Sequence, residues 1–205
     1  MTLAGRRNRS VREEEPQAAS REETVMAEHT HYTYCLHCET DKVRYVSAAI
    51  QALSPACRAL IPRQVQHTWK DGKMIDRLQP LFPGYLFLYD AYSLPMYDYR
   101  YLPGVIRVLR TTDEAWELSG PDESFALFLL EKDGVLGKTK VLLENDILTL
   151  PEEVFGGADA RILKVDRRAR RMKVLIRFAR QEIATWLEYE VDPELCENAD
   201  ECIPG

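Results

Sequence analysis

No stretch of this chain approaches the roughly 18 uninterrupted apolar residues that a membrane-spanning helix requires. Its first residues are rich in Arg and Glu, with no apolar core of the kind a secretion signal carries. Together these absences predict a cytoplasmic protein with no membrane partner. Also missing are a phosphate-cradling glycine loop, a GxSxG elbow and an HExxH pair, and the four histidines, His29, His31, His37 and His67, do not stand at helical ligand spacing. Neither catalysis nor a cofactor is expected. Cysteine is scarce: five residues, an odd number without framework spacing, which suits a reducing compartment. Cys35-x2-Cys38 with three histidines beside it has the outline of half a zinc site. Strand alternation, however, sends Cys35 and Cys38 to opposite faces, and Cys57, Cys196 and Cys202 supply no second pair. Structural thiols and no metal are the expectation.

What is present is an ordinary globular composition. With 205 residues and 45% apolar side chains, the chain can bury the core of one large domain or two small ones. The net charge of −6 argues against a generic nucleic-acid binder, but the charge is unevenly placed. From Arg161 to Arg180 there are nine Arg/Lys against one Asp, and from Gln181 to Gly205 there are eight Asp/Glu and no Arg/Lys.

Residues 1–28 mix Arg, Glu, Gln, Ser and Ala with almost no apolar spacing, so a disordered tail is expected, and Met26 is a candidate start of translation. Tyr32 to Cys38 reads as a strand. Thr40 is placed to cap a helix whose apolar stripe is Val43, Val46, Ile50 and Leu53, and Pro55 stops it. Ala59 to Trp69 and Lys73 to Leu78 flank Asp71-Gly72, a hairpin signal. A strand follows Gly84; a short Tyr-rich helix is expected within Leu94 to Leu102, and a last strand at Val105 to Leu109. Ser119-x-x-Asp122 looks like a capping box for a helix with Phe125, Phe128 and Leu129 on its apolar face, ending at Asp133-Gly134. This order predicts an α+β sandwich with an antiparallel-rich sheet over residues 29–134. Gly137-Lys138-Thr139-Lys140 reads as the heart of a linker over 135–143. Four short strands in 144–192 have the size of an SH3-like β-barrel, expected to stay β and not to form a helical hairpin, and 193–205 is an acidic tail.

The stretch with the most information is Gln79-Pro80-Leu81-Phe82-Pro83-Gly84-Tyr85-Leu86-Phe87-Leu88-Tyr89. After a bend stiffened by two prolines and a glycine, the strand puts aromatics on one face and leucines on the other. A helix of the same domain can bury the leucines. The aromatic face, Tyr85, Phe87 and Tyr89, is either a second core face or an exposed surface for a partner.

Leu81-Phe82-Pro83-Gly84-Tyr85-Leu86-Phe87 resembles the signature strand of the NusG family of transcription elongation factors, and resembles most the specialised paralogues typified by RfaH and LoaP. The likeness in element order runs from about Tyr32 to Asp192, a NusG-type N-terminal domain followed by a KOW barrel. Phe155 to Asp166 resembles the KOW motif, with Gly157 matching one of its glycines and Ala160 standing where a second is usual. The resemblance implies a non-enzymatic, monomeric antitermination or elongation factor. It would grip the RNA polymerase clamp through Leu81, Phe82, Pro83, Gly84, Tyr85, Phe87 and Tyr89, and suppress pausing or termination. In Ala179-Arg180-Gln181-Glu182-Ile183, Ala179 replaces the bulky apolar residue with which family members contact Rho or a ribosomal protein, which argues against carrying those partners over. A housekeeping NusG and a KOW protein that binds ribosomal RNA as a structural piece are the alternatives.

Three basic regions are candidates for nucleic acid: Lys42 and Arg44; the hairpin with Arg63, Lys70 and Lys73; and the barrel tip with Arg167, Arg168, Arg170, Arg171 and Lys173. A merely solvated turn would explain the last equally well. RfaH-type readout of an exposed DNA strand is not expected, because Glu39-Thr40-Asp41-Lys42 opens with acids and Ala48, Ala49 and Ala52 offer no hydrogen bonds. Structured RNA, a dense array of phosphates, suits clustered arginines better.

Overall fold

The structure is a computed structural model that describes residues 31–144 and 146–192, with Lys70 described by its backbone alone. The tail expected over 1–28, Met26, His29, Cys196, Cys202 and the acidic segment 193–205 lie outside the described residues.

Strand β1 (Tyr32–Cys38) is followed by helix α1 (Val43–Leu53), β2 (Arg58–Leu60), β3 (Arg63–Lys70), β4 (Lys73–Pro80) and β5 (Tyr85–Asp90). Then come α2 (Met96–Tyr99), β6 (Val105–Leu109) and α3 (Pro121–Glu131). A four-stranded, wholly antiparallel sheet runs in the order β2-β5-β1-β6. Its two faces separate two cores. Leu86 and Leu88 join Tyr34, Leu36 and Cys38 against Val43, Val46 and Ile50 of α1 and Met96 and Tyr99 of α2. The apolar stripe of α1 is therefore three residues deep, and Leu53, in its last turn, is solvent-exposed.

Two helix starts differ from expectation. Thr40 does not cap α1: the backbone turns through Thr40 and Asp41, Lys42 is the N-cap residue, and no side chain caps the helix. At α3, Gly120 takes the cap position and Pro121 the first turn, where a missing N–H costs nothing. Asp122, released from a capping box, instead accepts hydrogen bonds from Thr111 Oγ1 (2.7 Å) and from the Ala179 backbone N–H (2.9 Å).

Asp71 and Gly72 both adopt left-handed φ, +52° and +76°, as a tight hairpin between β3 and β4 requires. The second sheet is β4-β3-β7, with β7 (Val135–Leu136) parallel to β3. The third is a five-stranded, barrel-like sheet in the order β10-β11-β12-β8-β9. It is built from β8 (Thr139–Glu144), β9 (Ile147–Thr149), β10 (Ala160–Asp166), β11 (Arg171–Phe178) and β12 (Gln181–Val191). Part of the expected linker is therefore strand. Thr139 and Lys140 pair with Tyr189 and Glu190, because β12 would otherwise leave an unpaired edge. The fold is sheet-rich α+β with a barrel-like second part, as expected.

Ahead of β10 the chain reverses through Phe155, Gly156 and Gly157, at φ of +58°, +66° and +80°. Ala160 lies in regular strand opposite Ile176, so the position where the KOW pattern usually has a glycine needs none here.

Two glycines separate backbone strain from collision. Gly84 has φ +84°, and a Cβ there would collide with the Cys38 carbonyl oxygen, a backbone atom that cannot swing away. Gly72 is also left-handed, but open space surrounds it. Gly72→Ala should cost roughly 1–2 kcal/mol, the strain alone, and Gly84→Ala distinctly more. Equal losses in urea denaturation would show that the approach of Gly84 to β1 is not tight.

Candidate docking face and nucleic-acid interface

The aromatic side of β5 is built by the bend before it. Leu81 and Phe82 turn inward, Pro83 stays exposed, and Gly84 passes its carbonyl to the Cys38 N–H at 2.7 Å, which aligns β5 on β1. Tyr85, Phe87 and Tyr89 then fall on the face that carries Cys35. That face is not open. Phe125, Ala126 and Leu129 of α3 cover part of it, and the barrel-like sheet covers the rest. Phe178, at the end of β11, sits with its ring centroid 5.3 Å from both Phe87 and Phe125. Phe82 lies 5.9 Å from Phe125 and from Tyr85. Tyr89 donates its hydroxyl to the Ala126 carbonyl at 2.7 Å, and burial pushes the phenol pKa up. Of the two readings the sequence left open for this face, this arrangement has the core one: it is the inner wall of a shared core, because the chain supplies its own apolar cover.

Polar contacts ring that core. The β11–β12 turn places Ala179 and Arg180 in left-handed conformations. Ala179 is 3% exposed and its N–H reaches Asp122. Arg180 bonds the Thr111 carbonyl at 3.1 Å and Asp113 at 2.7 Å. Arg107 donates to Gln181 at 2.7 Å, and Thr185 Oγ1 donates to the Leu81 carbonyl at 3.1 Å. The position of Ala179 is thereby spent inside the molecule.

The basic candidates divide. Lys42 is paired with Glu39 at 2.7 Å. Arg44 and Arg63 line one groove of about 750 Å³, together with Thr40, Ser47 and Leu78, and Arg58, which sequence reasoning missed, lies there in an ion pair with Asp133. Lys73 is exposed beside the hairpin turn, and Lys70 contributes only its backbone position. At the barrel tip, Arg167 pairs with Asp146 (3.3 Å) and Arg171 approaches Glu188 (3.9 Å), whereas Arg168 and Arg170 are exposed. Lys173 is half-buried on β11. The hairpin and the barrel are joined by His67. Its N–H donates to Glu188 Oε1 at 2.8 Å, its Nδ1 lies 2.5 Å from Glu188 Oε2, and its Nε2 lies 3.5 Å from Asp76. No local pattern announces this contact between residues 121 positions apart.

Cys35 packs in the aromatic core and Cys38 in the leucine core, on opposite faces of β1 as strand alternation requires. Among the described residues no group of three or more His, Cys, Asp or Glu is arranged to hold a metal. Burial drives the Cys35 thiol pKa well above its ordinary value, and raises Cys38 to about 12 and Cys57 to about 11. Among the described residues no helix is long and apolar enough to cross a membrane.

No family model matches the chain, and no curated protein matches it. Among solved structures it is similar to one described as "Domain interaction in Thermotoga maritima NusG", with a TM-score of 0.48 and 16% identity, over 77% of this chain and 93% of that chain.

The thiols test the packing of both cores. In the folded protein at pH 8, Cys35, Cys38 and Cys57 should resist alkylation, read by mass spectrometry of the labelled peptides, and react fully in urea. Their folded-state pKa values lie above the ordinary 9.0, so the stability that comes from keeping them protonated is complete below about pH 9. It is lost as the pH climbs through 11 and 12. Rapid labelling at pH 8 would contradict the packing.

Proposed function

We propose that this protein is a transcription factor of the NusG type that docks on RNA polymerase through the aromatic face of β5 and suppresses pausing or termination, recruited by structured RNA. In this reading residues 29–134 dock and residues 144–192 form the module that governs access. The observation that carries the reading is the make-up of the contact: an apolar centre of Phe87, Phe125 and Phe178 inside a rim of exposed polar bonds. A hydrophobic centre within a polar rim is how separable protein surfaces meet. The barrel-like sheet occupies the place of the partner, and docking requires it to leave.

The same reading gives the groove beside α1 a task. Arg44, Arg58 and Arg63 converge there with hydroxyls from Thr40 and Ser47, a set suited to phosphate oxygens. Two carboxylates, Asp41 and Asp133, share the groove, and Arg58 must be drawn from Asp133 before it neutralises a phosphate.

Arg180 offers a test that leaves the docking face untouched. Arg180→Glu breaks the bonds to Thr111 and Asp113, exposed contacts that water screens and whose loss is therefore a small perturbation. Affinity for RNA polymerase should then rise about two- to fivefold as the closed form loses ground. Unchanged or weaker binding would contradict a barrel that competes with polymerase. Separately, Arg44→Glu/Arg63→Glu should weaken binding of a stem-loop RNA and flatten its dependence on salt. An unaltered salt slope would remove the groove from the account.

A further inference from the structure

Strand pairing sets three side chains in a row across the outer face of the barrel-like sheet. Lys164 of β10 lies opposite Lys173 of β11, and Lys173 lies opposite Trp186 of β12. Residues paired in this way point to the same side of the sheet. Met172, Val174 and Ile176 fill the inner side, so Lys173 and Trp186 face out, with the indole 37% exposed. Arg161 lies on the same outer side, opposite Leu175. A bulge between Ile162 and Lys164 leaves Leu163 exposed next to the row, and the turn at its end carries Arg168 and Arg170.

Charge distinguishes this face from an ordinary wet sheet. Among the described residues Arg161, Lys164, Arg168, Arg170 and Lys173 have no carboxylate partner, whereas Arg167, Arg171 and Arg177 are paired. Three nearby acids have hydrogen-bond or ion-pair partners of their own. Asp166 accepts the Ala169 N–H at 3.0 Å, Glu182 holds Arg177 at 3.0 Å, and Glu188 is taken up by His67. Five cations without a carboxylate partner thus share the outer face and its adjoining turn with one exposed indole, in a chain whose net charge is −6. Phosphate relieves the repulsion and an unstacked base covers the ring; a duplex supplies only the first.

We propose that this face binds an unpaired stretch of RNA, one base stacking on Trp186 while neighbouring phosphates lie on Lys164, Lys173, Arg168 and Arg170. The inference rests on RNA recruitment, as read above, and adds the surface and the single-stranded character of the ligand.

The chain has three tryptophans, so Trp69→Phe/Trp116→Phe leaves Trp186 as the only indole. In this background the full chain is titrated with a stem-loop RNA bearing an all-uridine loop, with a blunt duplex of the same stem, and with the DNA form of the stem-loop. The RNA loop should quench Trp186 fluorescence and the blunt duplex should not. Trp186→Ala should weaken loop binding roughly fivefold to a hundredfold, the range of one lost base stack, and Trp186→Phe should keep most of the affinity. Lys164→Gln/Lys173→Gln should reduce the salt slope by about 1.4, two single-strand phosphates. Circular dichroism confirms that each variant is folded, and the quenching comparison between the RNA loop and the blunt duplex carries the test if the alanine variant is not.

RNA bound with unchanged indole emission, or bound equally by Trp186→Ala, overturns this inference; RNA recruitment itself then stands only if Arg44→Glu/Arg63→Glu weakens binding and flattens its salt dependence. Equal quenching by the blunt duplex overturns the single-stranded assignment, and equal quenching by DNA overturns the choice of RNA. If none of the RNAs binds, both the inference and the recruitment it rests on are lost.

Discussion

β5 is apolar on both sides, and both sides have to be covered. Leu86 and Leu88 are met by α1 and α2, elements close in sequence. Tyr85, Phe87 and Tyr89 are met by α3 and by Phe178, about 90 residues further on, which ties the barrel-like sheet to the first sheet. Burying a phenylalanine is worth about 1.5–3 kcal/mol, so Phe178 by itself contributes substantially to holding the two sheets together. Other features follow from that seat. Asp122 serves the Ala179 N–H instead of its own helix, and the β11–β12 turn accepts two left-handed residues without glycine.

The charge follows the same division. The chain as a whole is acidic, and among the described residues clusters of cations lie at the α1 groove, the hairpin and the outer face of the barrel-like sheet. His67 and Glu188 hold the last two against each other. In the proposed account, nucleic acid and polymerase are met by different surfaces, so RNA can be bound while the aromatic face remains closed.

Much of this was legible in sequence where the determinants are local. Val43, Val46 and Ile50 mark the buried stripe of α1, Asp71-Gly72 the hairpin, and Val105 to Leu109 the edge strand β6, and each forms as expected. Cys35 and Cys38 separate as alternation dictates. What was illegible depends on distant pairing. Gly137-Lys138-Thr139-Lys140 has the composition of a linker, yet its second half is strand because Tyr189 and Glu190 offer it an edge. The Tyr85, Phe87, Tyr89 pattern is the same whether the aromatics meet a partner or the chain's own Phe178, and nothing near β5 in sequence decides between them. The row Lys164, Lys173, Trp186 exists only through register, which includes a bulge that no local pattern locates.

The central claim is that the barrel-like sheet covers the aromatic face in the free protein and leaves it on polymerase. The Ala179 amide reports this directly, since its hydrogen bond to Asp122 exists only while the two parts are together. Hydrogen exchange followed at that amide should find it protected in the free chain and rapidly exchanging once RNA polymerase is added, while the amides of β1 stay protected throughout. An Ala179 amide that exchanges freely without polymerase, or one that keeps its protection in the bound complex, would contradict the account.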